Sequence, residues 1–126
     1  MLTIVLCNSL GQIKKSKSLK NYEILVEEKN MQDFFYDYKD KFSSLDTYRI
    51  LDPYEDIELK RKNLEDIEIF AQSIYDFAKN LDLKEENKII EKYNLSQRKI
   101  KTYGKKLAAL ARLAIEKNMT LVGLGD

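Results

Sequence analysis

Apolar residues recur along this chain with two different periods, and the changes of period mark out the elements. Leu2 to Cys7 is uncharged on both sides, with Leu2, Ile4 and Leu6 on one and Thr3, Val5 and Cys7 on the other. Such a run predicts a strand covered on both faces. The short run 119–125 (MTLVGLG) is its natural partner near the other end of the sequence. Tyr22 to Glu27 alternates instead. The alternation predicts a half-exposed strand antiparallel to the first, with Tyr22, Ile24 and Val26 inward and Glu23 and Glu27 outward. Between these strands 8–20 (NSLGQIKKSKSLK) is polar and rich in lysine, and reads as a loop turned at Gly11.

The middle of the chain changes to helical spacing. Asn30 stands three residues before Asp33, the spacing of a capping box, and Phe34, Phe35, Tyr38 and Phe42 follow on one face until Ser43 and Ser44 end the helix. Thr47 to Leu51 (TYRIL) predicts a short edge strand, and Asp52-Pro53 a turn. Asn63, with Asp66 three residues on, reads as the cap of a stripe of Leu64, Ile67, Phe70, Ala71, Ile74, Phe77, Ala78 and Leu81, the clearest amphipathic helix in the sequence. Asp82 with Glu85 starts another, with Ile89, Ile90 and Tyr93 inward and Asn94 as its left-handed stop. Ser96 caps the last, whose inward residues are Ile100, Tyr103, Leu107, Leu110, Ala111 and Ala114, with Asn118 ending it. Gly104 reads as a weak point there, at ~1 kcal/mol relative to alanine. The expected fold is α/β (or α+β): a single domain over 1–126, with the N- and C-terminal strands central in a small sheet packed by three to four helices.

Composition changes this picture mainly by exclusion. The sequence has no histidine and one cysteine, Cys7. That removes the commonest general acid–base and metal ligand, and with them zinc sites, Ser-His-Asp triads and Cys-His dyads. No catalytic residue, metal site or cofactor is expected, and the chain reads as non-enzymatic. No apolar run approaches the roughly 18 residues of a membrane span, and residues 1–9 lack the basic start of a signal peptide. The expectation is a cytoplasmic protein with no membrane partner. Charge is nearly balanced overall, at +1, but unevenly placed: residues 31–83 carry 7 basic and 13 acidic side chains, and residues 84–118 carry 10 and 4. One acidic and one basic side favour charge-steered partners.

Three groups of residues suggest chemistry. Residues 87–107 (NKIIEKYNLSQRKIKTYGKKL) place Asn94 at a turn, Leu95 after it, and Ile100 and Tyr103 five and eight residues beyond Leu95. In this spacing the segment resembles a helix-turn-helix. The resemblance implies DNA binding through Gln97, Arg98, Lys99, Lys101, Thr102 and Lys105, donors suited to phosphates and base edges. It departs from that pattern at Ile90, where a small residue is usual, and in the length of its second helix. Glu58-Leu59-Lys60, downstream of Asp52, Glu55 and Asp56, echoes the E-x-K element of restriction-type nucleases. Pro53 makes the required strand hard to build, so the stretch reads as a solvated acidic linker.

The third group is aromatic and acidic. The rings between Phe34 and Tyr54 exceed what one helix face buries, and several stand among aspartates. Asp33, Tyr36, Asp37, Asp40, Tyr48 and Tyr54 form a candidate partner-binding face, since tyrosine anchors interfaces at low entropic cost. In size and general layout, with no shared motif, the chain is similar to bacterial immunity proteins. That similarity implies a protein partner such as a toxin, neutralised by occlusion; DNA binding through 87–107 is the alternative.

Overall fold

Two strands from opposite ends of the sequence lie side by side at the centre of the sheet. The structure, a computed structural model, describes residues 1–125. In chain order its elements are β1 (Thr3–Cys7), α1 (Leu10–Lys15), β2 (Ile24–Val26), α2 (Met31–Asp37), α3 (Leu45–Tyr48), β3 (Ile57–Glu58), α4 (Leu64–Lys79), α5 (Leu83–Tyr93), α6 (Gln97–Glu116) and β4 (Thr120–Leu124). The sheet runs β2-β1-β4-β3 with every neighbour antiparallel, so the fold is mixed α/β with the terminal strands central, as expected.

Both faces of the central strands are covered, which is why neither carries charge. Ile4 and Leu6 of β1 and Leu2 just before it, with Leu25 and Leu121, join the main core against α4 and α6. Val5, Cys7 and Val122 face the other way, under Ile13, with Leu10, Leu19, Tyr22 and Leu124 packed around them. α4 and α6 run antiparallel: the Gln97 side-chain amide donates to Ala78 O (2.7 Å) near one end, and Arg112 Nε lies 3.6 Å from Glu68 near the other. Gly104 sits where they cross, and a Cβ there would lie 2.9 Å from both Ala71 O and Tyr75 N. The glycine that helix propensity marks as a weak point is therefore what lets the two helices approach.

Several local expectations are corrected. Residues 10–15 form helix α1, not a loop: the Ser9 hydroxyl accepts from Gln12 N, the Glu58 carboxylate accepts from Leu10 N (2.6 Å), and Ile13 covers the outer face of the sheet. In β2 the phase is reversed. Leu25 pairs opposite Ile4 and points inward with it, while Ile24 and Val26 stand exposed and Glu27 is buried. A one-residue change of phase exchanges the two faces of a strand, and here Leu25 wins the core position. Residues 45–48 are helical, because Leu45, Tyr48 and Leu51 all turn inward at a spacing of three.

The fourth strand is instead Ile57–Glu58, held by pairing to β4 and by Leu59 N donating to Leu121 O (3.0 Å). Two residues are too few to show a period. Caps differ too. Asn30 is left-handed (φ 69°) and its amide donates to Tyr93 O, and Asn63 belongs to a single 3-10 turn with no side-chain cap, whereas Asp82 and Ser96 cap α5 and α6 as expected. The helix begun at Met31 stops at Asp37 and continues only as a 3-10 turn over Lys39–Lys41. Gly123 lies inside β4, and a Cβ there would come within 2.8 Å of the Leu51 side chain.

Candidate protein-binding surface

α2 is short, and aromatic packing on one side holds it in place. Phe34 and Phe35 are buried and meet Phe42, Phe70, Phe77, Tyr93, Tyr48 and Tyr103 at ring-centroid distances of 5.3–6.2 Å. Tyr38 closes this cluster from the half-buried side and donates to the Glu85 carboxylate (2.8 Å). Desolvation first, and then the neighbouring carboxylate, push the Tyr38 hydroxyl up to about 12. With the inner face so committed, Asp33, Tyr36 and Asp37 are turned to solvent, and Asp40 follows in the next turn.

Each exposed residue has a defined setting. Tyr36 is 54% exposed, with Lys39 Nζ 4.8 Å and Arg49 Cζ 5.5 Å from its ring centroid, two cation–π contacts that steady the ring. Tyr54 is 79% exposed on a turn made when its N–H donates to Asp52 Oδ1 (2.8 Å). Tyr54 and Asp33 line one shallow groove of about 350 Å³ together with Met1, Glu28 and Pro53. Asp37 accepts from the Tyr93 hydroxyl and lies 3.2 Å from Lys92 Nζ; these two groups, the hydroxyl first, hold its carboxyl below the usual range. Asp40 lines a hollow beside Lys39 and Arg49.

Tyr48 does not belong to this surface. It is fully buried, stacked on Phe70 at 4.5 Å, with its hydroxyl donating to Glu27 and bonded to the Tyr103 hydroxyl (2.6 Å). Helical placement of 45–48 points it inward, where a strand would have left it at an edge. Gln32 also donates to Glu27, at 2.7 Å. Burial still dominates over these bonds and raises the Glu27 carboxyl above its ordinary value.

The residues proposed for DNA divide between two settings. α5, left-handed Asn94 (φ 58°), buried Leu95 and α6 follow one another in the order the spacing requires. Gln97 is tied down, its side chain on Ala78 O and its N–H on Glu86. Lys101 lies over the Tyr75 ring (5.5 Å), and Lys105 is exposed. Arg98, Lys99 and Thr102 line a groove of about 630 Å³ whose opposite wall is Ile24, Leu25 and Val26. Ile24 and Val26 are the surface residues missed from the sequence, because alternation alone does not say which phase faces out. Glu58 of the E-x-K segment caps α1, and among the described residues no group of three or more acidic or cysteine side chains could hold a metal ion.

Compared with protein-family models, curated proteins and solved structures, the chain matches none. No helix among the described residues is long and apolar enough to cross a membrane.

Proposed function

We propose that this is a non-enzymatic binding protein, acting in the cytoplasm without a cofactor, that works by covering a partner's surface. Its docking face is the solvent side of α2 with Tyr54, and its counterpart is a basic protein surface. One observation carries this reading: Tyr54 and Tyr36 stand 79% and 54% exposed while Phe34, Phe35, Phe42, Tyr48, Phe70, Tyr93 and Tyr103 are buried. Two rings left in water beside Asp33, Asp37 and Asp40 are suited to anchor an interface, and the carboxylates to steer it. An immunity protein that occludes a toxin is the finer form of this reading. Asp33→Lys with Asp40→Lys tests the face, since both carboxylates are exposed and neither takes part in the Tyr93–Lys92 contacts of Asp37. Affinity for the partner falls about tenfold or more, chiefly through slower association; unchanged affinity removes the face from the account.

DNA binding is the second reading, supported by the exposed row of Arg98, Lys99, Thr102, Lys105 and Lys106 on the first turns of α6. Under that reading Arg98→Ala with Lys101→Ala weakens binding to duplex DNA and lowers its dependence on salt. Binding that keeps its salt slope in this variant excludes it.

A further inference from the structure

β2 is an edge strand, and its outer edge opens on a groove. The register sets Leu25 opposite Ile4, and two bonds fix the alternation: Leu6 N to Glu23 O (3.0 Å) and Glu27 N to Leu2 O (2.9 Å). Glu23, Leu25 and Glu27 therefore turn their peptide groups to β1, and Ile24 and Val26 turn theirs to the open edge. That edge is one wall of the groove of about 630 Å³; the other wall is the first half of α6, with Arg98, Lys99, Thr102, Tyr103 and Lys106. The side chains of Ile24 and Val26, on the outer face of the sheet, are 44% and 46% exposed. The opposite edge strand, β3, has only two residues, too short to serve as a template.

We propose that this groove takes an extended segment of a partner protein as an added strand on β2, with apolar and acidic side chains alternating along it. The peptide groups of Ile24 and Val26 supply main-chain hydrogen bonds, and the two-residue period of a strand supplies the selectivity. Side chains on the outer face of the added strand lie beside Ile24 and Val26, which suits apolar residues. Those on the inner face lie over α6, where the lining holds three cations, Arg98, Lys99 and Lys106, against one carboxylate, Glu28. Carboxylates fit that wall. A second copy pairing edge to edge would bring two sets of the same cations to one seam, so charge opposes self-association. Nucleic acid would use the cations but leave the strand edge and the two apolar side chains without a role. This site is separate from the α2 face and does not depend on it.

The test uses the full chain and short capped, fluorescent peptides: repeating Val-Glu, repeating Val-Lys, and a block arrangement of the Val-Glu composition. Two variants accompany the wild type. Val26→Pro removes an N–H that faces the groove and no bond to β1; Arg98→Glu with Lys99→Glu reverses two exposed charges. Circular dichroism checks that both fold. Fluorescence anisotropy is expected to give saturable binding of the Val-Glu peptide. Binding falls about tenfold or more for the Val-Lys and block peptides and for each variant. Amide exchange of Ile24 and Val26 slows when the peptide is bound, a readout that survives if Val26→Pro fails to fold. No saturable binding of the Val-Glu peptide overturns the proposal, as does equal binding of the Val-Lys peptide or binding indifferent to both variants. Duplex DNA that binds in the peptide's place, sensitive to the Arg98 and Lys99 reversals but not to Val26→Pro, assigns the groove to nucleic acid instead. Dimers that protect the Ile24 and Val26 amides without peptide assign it to self-pairing.

Discussion

Glu27 is the residue where burial and charge conflict most directly. Its carboxyl is buried and accepts from Tyr48 and Gln32, yet desolvation outweighs those bonds and raises it from an ordinary 4.5. The folded state therefore binds the Glu27 proton more tightly than the unfolded state does. Stability from this group is greatest below the unfolded value and falls as pH rises towards the folded one. Glu27→Gln removes that contribution while keeping an acceptor for Tyr48. The difference in unfolding free energy between wild type and Glu27→Gln, measured in urea from pH 4 to 8, should shift in favour of the variant as pH rises. A flat difference would show that the carboxyl is not strained by burial. Gly104 carries a second prediction at this scale. Gly104→Ala should destabilise by about 1–3 kcal/mol in urea unfolding, because the clash is with the backbone of α4 and outweighs the gain in helix propensity. A stabilised variant would mean that the helices cross farther apart.

Elements differ in how much of their placement is local, and that decides what the sequence tells. Ser96→Ala removes the bond to Lys99 N and should cost about 1 kcal/mol, measured as a lower urea midpoint with unchanged slope. No change would show that solvent satisfies that end of α6 equally well. α4 and α6 were legible because 16 and 20 residues give a periodic stripe several turns to declare itself. β1 and β4 were legible because a run uncharged on both faces leaves few other placements. α1, α3 and β3, with six, four and two residues, were not. Tertiary partners hold them: Glu58 on the first N–H of α1, the core beneath Leu45 and Tyr48, and β4 alongside Ile57. The phase of β2 was hidden for another reason. Apolar residues occupy both of its faces, and only the pairing of Leu25 with Ile4 decides between them. The candidate face followed suit: Asp33, Tyr36, Asp37, Asp40 and Tyr54 are exposed as read, and Tyr48 went inward with α3.

At the scale of the whole molecule, one core supports two surfaces of opposite character. The solvent side of α2, with Tyr54 from the turn after Asp52, offers carboxylates and two exposed rings; the groove between β2 and α6 offers cations and an open strand edge. Glu28 lines both that groove and the one holding Tyr54 and Asp33, so the two surfaces adjoin. A partner that spans both would be held by main-chain pairing on one side and by ring anchors on the other. The protein is proposed to act by binding another protein through the α2 face. The most direct test of this role is a quantitative capture from nuclease-treated native lysate, with tagged wild type and a Tyr36→Ala, Tyr54→Ala variant side by side. One protein is expected to be recovered in stoichiometric amount by the wild type and lost from the variant. The same protein retained in equal amount by the variant, or no protein recovered by the wild type, would contradict that role.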